Sequence, residues 1–148
     1  MKVTTQIDIT AEEYFKHLYK RSIEDIKKST GKEVKLKDLI DGYDYVKKIN
    51  YKKKEAYINM HVGPLIENKY FEVRYETQDT KCMYYYDFSN KDGINYVTYF
   101  EDNNYKEDTL GNRLGELRRK FRQKVLEKRI LDNIELTTTY IKNHKEEQ

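Results

Sequence analysis

Hydrophobic and polar residues alternate one by one at the start of the chain and again through its middle third. In the first segment, one side of the alternation carries Val3, Thr5, Ile7 and Ile9. A period of two residues is typical of a β-strand that buries one face. The N-terminal segment is therefore predicted to be a strand.

The segment TAEE, which follows this strand, predicts the start of a helix. The Thr10 side chain can accept a hydrogen bond from the Glu13 amide while the Glu13 side chain reaches back, which is a capping box. Apolar residues then recur at helical spacing as far as Ile26, and Gly31 is placed to end the helix. We expect one bent helix or two short helices over residues 11–29, and a single helical turn in LKDLIDG.

From Tyr43 the period of two returns, and it persists to Asp102. Segments with turn chemistry, namely KKK, GPLIEN, TQD and SNKDG, divide this region. The pair Asp92-Gly93 is the strongest hairpin signal. Connections this short join antiparallel neighbours. The predicted strands are Tyr43–Tyr51, Glu55–Val62, Lys69–Glu76, Thr80–Phe88 and Ile94–Asp102.

The last part of the chain, from about residue 112 to residue 141, has helical spacing and no Pro or Gly after Gly115. Such a helix is about 45 Å long, whereas six strands span only about 24 Å. An antiparallel sheet needs one face covered, and this helix is the only element large enough to cover it. We therefore predict an α+β fold in which a curved antiparallel sheet of about six strands carries two short N-terminal helices, with the long C-terminal helix packed on its concave face.

Two apolar stripes run along nearly opposite sides of this helix. The first is expected to share a core with Phe71, Val73, Tyr84 and Phe88, and it consists of Leu110, Leu114, Leu117, Phe121 and Val125. A straight helix cannot bury both stripes against one sheet, so the helix bends, the second stripe meets the N-terminal helices, or it pairs with a second copy of the chain. We favour a homodimer through the second stripe, which consists of Leu126, Ile130, Ile134 and Ile141.

Composition narrows the class of protein. The 148 residues suit one domain spanning 1–148, and 37% charged with 14% aromatic residues indicates a charged shell around an aromatic interior. The single cysteine, Cys82, excludes an intrachain disulfide and a thiolate metal cage. The N-terminus is too polar for a signal peptide, and no apolar run approaches the roughly 18 residues of a membrane span. We expect a cytoplasmic protein.

Tyrosine supplies the candidate ligand-binding residues, because the chain holds 15 Tyr and no Trp. In KCMYYYDF, alternation places Tyr84 and Tyr86 on the apolar face. The same alternation on the neighbouring strands gives the full candidate set: Tyr43, Tyr45, Lys47, Tyr75, Tyr84, Tyr86 and Tyr96. A buried phenol without a partner costs about 1–3 kcal/mol, so these hydroxyls either bond groups at the rim of the sheet or border a hydrated cavity. The alternative is ordinary packing with the hydroxyls in water, and Lys47 is then an edge lysine that opposes aggregation.

Other chemistry is sparse, and no catalytic, metal-binding or cofactor motif is found. His17, His61 and His144 lack partners at ligand spacing. Between Arg113 and Arg129 the last helix carries eight Lys or Arg and two acidic residues. This basic surface is either a solvated face or a phosphate-binding one, and the absence of interleaved aromatics on it disfavours nucleic acid.

The order of elements resembles the START-like helix-grip (SRPBCC) superfamily, and within it a domain-of-unknown-function family of Gram-positive bacteria. The matching segments are ITAEEYFKHLYKRSIEDIKKSTGK, LIDGYDYVKK, NYVTYFED and GNRLGELRRKFRQKVLEKRI. The resemblance implies a cavity between sheet and long helix for a hydrophobic small molecule. The expected function is non-catalytic binding of a small amphipathic ligand. Two alternatives stay open: a hydrolase or cyclase of the same superfamily, and a protein or nucleic-acid interaction module that uses the basic helix.

Overall fold

A computed structural model gives the fold for residues 1–104 and 113–145. Within these residues the chain forms six strands and three helices, in an order that agrees with the predicted one. The elements are β1 Lys2–Ile7, α1 Ala11–Thr30, α2 Leu36–Leu39, β2 Tyr43–Tyr51, β3 Lys54–Ile66, β4 Tyr70–Glu76, β5 Lys81–Lys91, β6 Ile94–Asn104 and α3 Arg113–Asn143. No helix within these ranges is long and apolar enough to cross a membrane.

The six strands form one antiparallel sheet, as predicted, and their order in it is β1-β6-β5-β4-β3-β2. The chain crosses from one edge to the other between β1 and β2, and α1 and α2 make that crossing. The other strands follow as hairpins. Two of these hairpins have two-residue turns, Lys52-Lys53 and Asp92-Gly93. At Asp92-Gly93 both residues have positive φ (54° and 82°) and Lys91 pairs with Ile94.

The first helix begins at the predicted capping box, since the Glu13 amide donates to the Thr10 hydroxyl and the Thr10 amide donates to the Glu13 carboxylate. It ends at Gly31, which has φ of 77°. Between these residues α1 is one continuous helix of 20 residues, as in the one-helix alternative. It buries Tyr14, Phe15 and Ile26 in the core and lies against β2 and β4.

The last helix buries the stripe that was expected to be free. Ile130, Ile134 and Ile141 belong to the hydrophobic core of the chain, and Leu126 packs against that core. This half of α3 lies against β1 and α1. The predicted homodimer interface of Leu126, Ile130, Ile134 and Ile141 is therefore corrected, because these side chains serve an intrachain contact. Since α1 covers β2 and β4, the concave face beside β1 is left for α3 to cover.

The other stripe of α3 faces solvent. Leu117 is 64% exposed and Phe121 is 71% exposed, and Val125 is exposed as well. The prediction that Leu117 and Phe121 share a core with Phe71 and Val73 is therefore wrong. Leu110 and the side chain of Leu114 lie outside the described residues. A straight helix buries one stripe, and here the stripe of its second half is the buried one.

This arrangement predicts that two truncations in α3 lower the free energy of unfolding by very different amounts. Ile134 is only 4% exposed, so Ile134→Ala is expected to lower the free energy of unfolding by about 2–4 kcal/mol through lost burial and a cavity. Phe121→Ala is expected to cost less than about 1 kcal/mol, because its ring is already in water. Urea unfolding followed by circular dichroism measures both. A larger loss for Phe121→Ala than for Ile134→Ala would contradict this placement of the helix.

Candidate functional site

The concave face of the sheet carries six of the seven candidate residues. The backbone register aligns Tyr45 with Met60, Tyr84 with Val73, and Tyr86 with Phe71. All three partners are apolar residues of the concave side, and cross-strand partners point to the same face of a sheet. The same reasoning places the remaining members on this face, namely Tyr43, Lys47 and Tyr75.

Tyr96 is the exception, and its assignment is corrected. In the register between β5 and β6, Tyr96 pairs with Ser89, whereas Tyr99 pairs with Tyr86. Tyr96 therefore points to the convex face and Tyr99 takes the inward position. A signal for this was present in the sequence. A two-residue turn at Asp92-Gly93 fixes the pairing of β5 with β6, and alternation from that turn places Tyr99 beside Tyr86.

The inward rings form one aromatic cluster that joins the sheet to α1. The Tyr99 ring stacks on Tyr84 at 6.0 Å between centroids and meets Tyr86 edge-on at 5.1 Å. From α1, the Tyr14 ring contacts Tyr86 at 5.7 Å and Phe88 at 5.3 Å. The phenol of Tyr14 shares a hydrogen bond with Thr137 on α3. Tyr14 thus connects both helices to the cluster, and sequence reasoning did not single it out.

A carboxylate from α1 holds the β2 edge of the site. The hydroxyl of Tyr45 donates to Asp25 Oδ2 at 2.5 Å, and the ammonium of Lys47 donates to Asp25 Oδ1 at 2.8 Å. Both carboxylate oxygens are therefore in use. Lys47 therefore forms an ion pair within its own chain, which the sequence did not predict. Sequence reasoning also missed Asp25, although it lies seven residues after Leu18 on the predicted helix face.

The protonation states of Asp25 and Tyr45 are fixed near neutral pH. Burial raises the pKa of Asp25, but hydrogen bonds from Lys47 and Tyr45 outweigh burial and leave it below its usual value. For Tyr45, burial and the hydrogen bond to Asp25 both raise the pKa far above that of free tyrosine. The carboxylate therefore stays ionised and the phenol stays protonated near neutral pH. We call the contact of Asp25 with Tyr45 and Lys47 the Asp25 tie. General acid–base catalysis needs a group that titrates near the working pH.

A cleft of about 410 Å³ lies between α1 and the concave face of β2 to β5. Its floor is apolar, with Met60, Val62, Phe71 and Val73, and the rings of Tyr84 and Tyr86 form part of its wall. The α1 side chains that border it recur at helical spacing: Leu18, Arg21, Ser22, Asp25 and Lys28. The volume falls within the range of about 300–1,000 Å³ that is typical of small-molecule sites.

A second cleft, of about 930 Å³, lies between α1 and α3. Its lining includes His17, Lys20 and Glu24 on one side and Asn133 and Thr137 on the other. The two clefts have three residues in common, Arg21, Glu24 and Tyr86. They therefore adjoin along one wall, and a ligand in the first cleft would reach the second past Arg21 and Tyr86.

Three half-buried phenols lie on this face of the sheet, and two of them line the first cleft. Within the described residues, the hydroxyls of Tyr84, Tyr86 and Tyr99 make no side-chain hydrogen bond. Burial raises the pKa of Tyr84 to about 12 and raises that of Tyr86 well above its ordinary value. These hydroxyls are therefore protonated donors at neutral pH. Of the two environments expected for inward tyrosines, Tyr45 has the partner at the rim, whereas Tyr84 and Tyr86 border a cavity.

The imidazole of His61 and the thiol of Cys82 do not line the first cleft. His61 contacts the Asp44 carboxylate at 2.5 Å on the convex side of the sheet, so it does not face the first cleft. Cys82 is buried, as expected. Among the described residues, no group of three or more His, Cys, Asp or Glu is arranged to hold a metal ion.

Comparisons with known proteins support the fold. A family model described as Domain of unknown function (DUF3284) matches residues 1–126. No curated protein matches the chain. Among solved structures, Ara h 8.0201, a Bet v 1-like protein, superposes with a TM-score of 0.52 at 12% identity, covering 97% of each chain.

Two bacterial structures are similar to the same extent. A protein of unknown function, SA2116 from Staphylococcus aureus, has a TM-score of 0.58 at 15% identity over 100% of this chain and 95% of its own. A conserved protein from Geobacillus kaustophilus has a TM-score of 0.51 at 16% identity over 97% and 95%. At these identities the likeness concerns the fold alone. It is the helix-grip fold, consistent with a START-like architecture.

The Asp25 tie predicts a pH-dependent contribution to stability. Because the pKa of Asp25 is lower in the folded protein than in the unfolded chain, the tie stabilises the fold at neutral pH. That contribution is lost as the pH falls below about 4. Asp25→Asn should therefore be less stable than wild type at pH 7, and the difference should shrink towards pH 3. Tyr45→Phe, which removes one hydrogen bond to a charged group, should cost about 1–2 kcal/mol at pH 7.

Urea unfolding across this pH range measures the effect. Asp44→Asn is the matched control, since Asp44 is a largely exposed carboxylate on the opposite face of the sheet. A stability difference for Asp25→Asn that is independent of pH would contradict the tie.

Proposed function

This chain belongs to the DUF3284 family of domains of unknown function, and we propose that it is a non-catalytic binding protein for a small amphipathic molecule. The ligand would occupy the tyrosine-bordered cleft between α1 and the concave face of the sheet. The proposal takes its fold from the helix-grip likeness and its site from the side chains of this chain.

One observation carries the proposal. The 410 Å³ cleft combines an apolar floor with the hydroxyls of Tyr84 and Tyr86, which have no hydrogen-bond partner among the described residues. Both phenols are half-buried and keep their protons at neutral pH, so their hydroxyls can donate to a ligand. A molecule with an apolar body and a polar end would satisfy both surfaces at once. An apolar pocket with a few convergent polar groups is the usual form of a small-molecule site.

The state of the ionisable groups supports binding rather than catalysis. Asp25 is held ionised by two hydrogen bonds, and Tyr45 and Tyr84 are held protonated by their surroundings. Each group keeps one protonation state near neutral pH. Such groups can orient a ligand, but they are poorly matched to proton transfer.

A tryptophan placed in the cleft provides a direct test, because the chain has no Trp of its own. Met60→Trp puts a fluorescent ring on the floor of the cleft. Its emission is expected to shift and saturate on titration with 1-decanol or sodium decanoate. Native mass spectrometry of the wild-type protein purified from cell extract is expected to show a bound small molecule.

Tyr57→Trp is the matched control, because Tyr57 lies on the same strand but is exposed on the other face. Its emission should not respond to either probe. If Met60→Trp responds no more than Tyr57→Trp, and wild-type protein from extract is uniformly empty, the proposed function is wrong.

A second candidate function follows from the first half of α3. The side chains from Glu116 to Val125 are all exposed, and they include five of the basic residues counted in this helix. The exposed Leu117 and Phe121 add an apolar stripe to this basic surface. Such a helix surface suits an acidic partner, either a protein or a nucleic acid.

The second candidate predicts salt-dependent binding. Fluorescence anisotropy with a labelled single-stranded oligonucleotide and with a labelled acidic peptide should show binding at low salt that weakens as salt rises. Arg118→Glu with Arg122→Glu should abolish it, whereas Lys27→Glu on α1 should not. If neither probe binds at low salt, this second candidate function is wrong.

A further inference from the structure

The wall shared by the two clefts contains a cation without an ion-pair partner. Arg21 projects from α1 and borders both clefts. It forms no salt bridge within residues 1–104 and 113–145. Asp25, one turn further along α1, has both oxygens occupied by Tyr45 and Lys47.

The charges around this position leave an excess of positive charge. The side chains that border the clefts near Arg21 include Lys20, Lys28 and Glu24. The charges of Asp25 and Lys47 cancel in their ion pair, so three cations face one remaining carboxylate. A guanidinium stays charged at any pH at which the protein is folded, and it binds carboxylate, phosphate or sulfate oxygens through paired N–H groups.

Hydrogen-bond donors lie beside the same cation. Arg21 lines the first cleft together with Tyr84 and Tyr86. Burial raises the pKa of these phenols, and the Arg21 charge only partly opposes burial, so both hydroxyls keep their protons. An anionic oxygen at this wall would receive donors from a guanidinium and from two phenols.

We propose that Arg21, Tyr84 and Tyr86 form an anion subsite at the junction of the two clefts, and that the ligand is an amphipath with an anionic head. The head, a carboxylate or another oxyanion, would sit at this junction. The apolar body would extend over Met60, Val62 and Val73 on the floor of the first cleft. The inference rests on the proposed binding function, since it assigns one end of the same ligand.

Two probes of equal chain length distinguish the contribution of a charged head to binding from that of the apolar body. Sodium decanoate and 1-decanol share the apolar chain, and only decanoate carries a charge. Isothermal titration calorimetry at neutral pH is expected to give tighter binding of decanoate by wild-type protein. Arg21→Gln should weaken decanoate about tenfold or more, since a hydrogen-bonded charge is lost. The affinity of the same variant for 1-decanol should stay within about twofold of that of wild type, because burial of the decyl chain does not require the cation.

The control variant is Lys27→Gln, which removes one positive charge from the same helix. Lys27 borders neither cleft and pairs with the exposed Glu33, so decanoate binding should be unchanged. Circular dichroism and urea unfolding check that Arg21→Gln is folded, and Arg21→Lys should recover part of the affinity for decanoate.

The outcomes separate this inference from the function on which it rests. If Arg21→Gln lowers the affinity for both probes alike, or for neither, the anion subsite is refuted while ligand binding stands. If Lys27→Gln weakens decanoate as much as Arg21→Gln does, the effect is net charge and the subsite is again refuted. If wild-type protein binds neither probe, the proposed binding function itself fails.

Discussion

The coverage of one apolar sheet face by two helices determines the rest of this structure. The sheet turns a row of apolar and aromatic residues towards its concave side, and that face must be kept from water. The long helix does not cover it alone. Instead α1 lies over β2 and β4, and the second half of α3 lies over β1. Two separate helices on one curved surface leave a gap between them, which the second cleft occupies, and the first cleft adjoins it between α1 and the sheet.

The composition of the gap follows from its position between core and solvent. Tyrosine is suited to it, because its ring packs against apolar neighbours while its hydroxyl stays polar. Where α1 comes close to β2, a carboxylate is available and Tyr45 is tied to Asp25. Further from that edge, Tyr84 and Tyr86 have no such partner among the described residues. One residue type therefore serves as a structural tie at one end and as an open donor at the other.

Most of the fold was predictable because its signals are local. The capping box at Thr10, the stop at Gly31 and the turns at Lys52-Lys53 and Asp92-Gly93 act within a few residues, and elements begin or end at each of them. The segment GPLIEN is an exception, because its first four residues lie within β3. Two features were predicted wrongly. In β6 both faces carry aromatic residues, so alternation alone could not choose between Tyr96 and Tyr99, and the choice follows only when the pairing set by the Asp92-Gly93 turn is extended along both strands. In α3 both stripes are apolar, and the buried one is decided by where α1 leaves the sheet uncovered. The anion subsite was also hidden, because Arg21 meets Tyr84 and Tyr86 only through the packing of α1.

The central claim is that the space between α1 and the concave face of the sheet is a ligand site, and not merely imperfect packing. A crystal structure of the protein purified without added ligand tests it most directly. The proposed function predicts continuous electron density in contact with Tyr84 and Tyr86, bounded by Arg21 on one side and by Met60 and Val73 on the other. A structure in which α1 closes on the sheet, and in which the two hydroxyls bond to protein groups with no room between them, would contradict it.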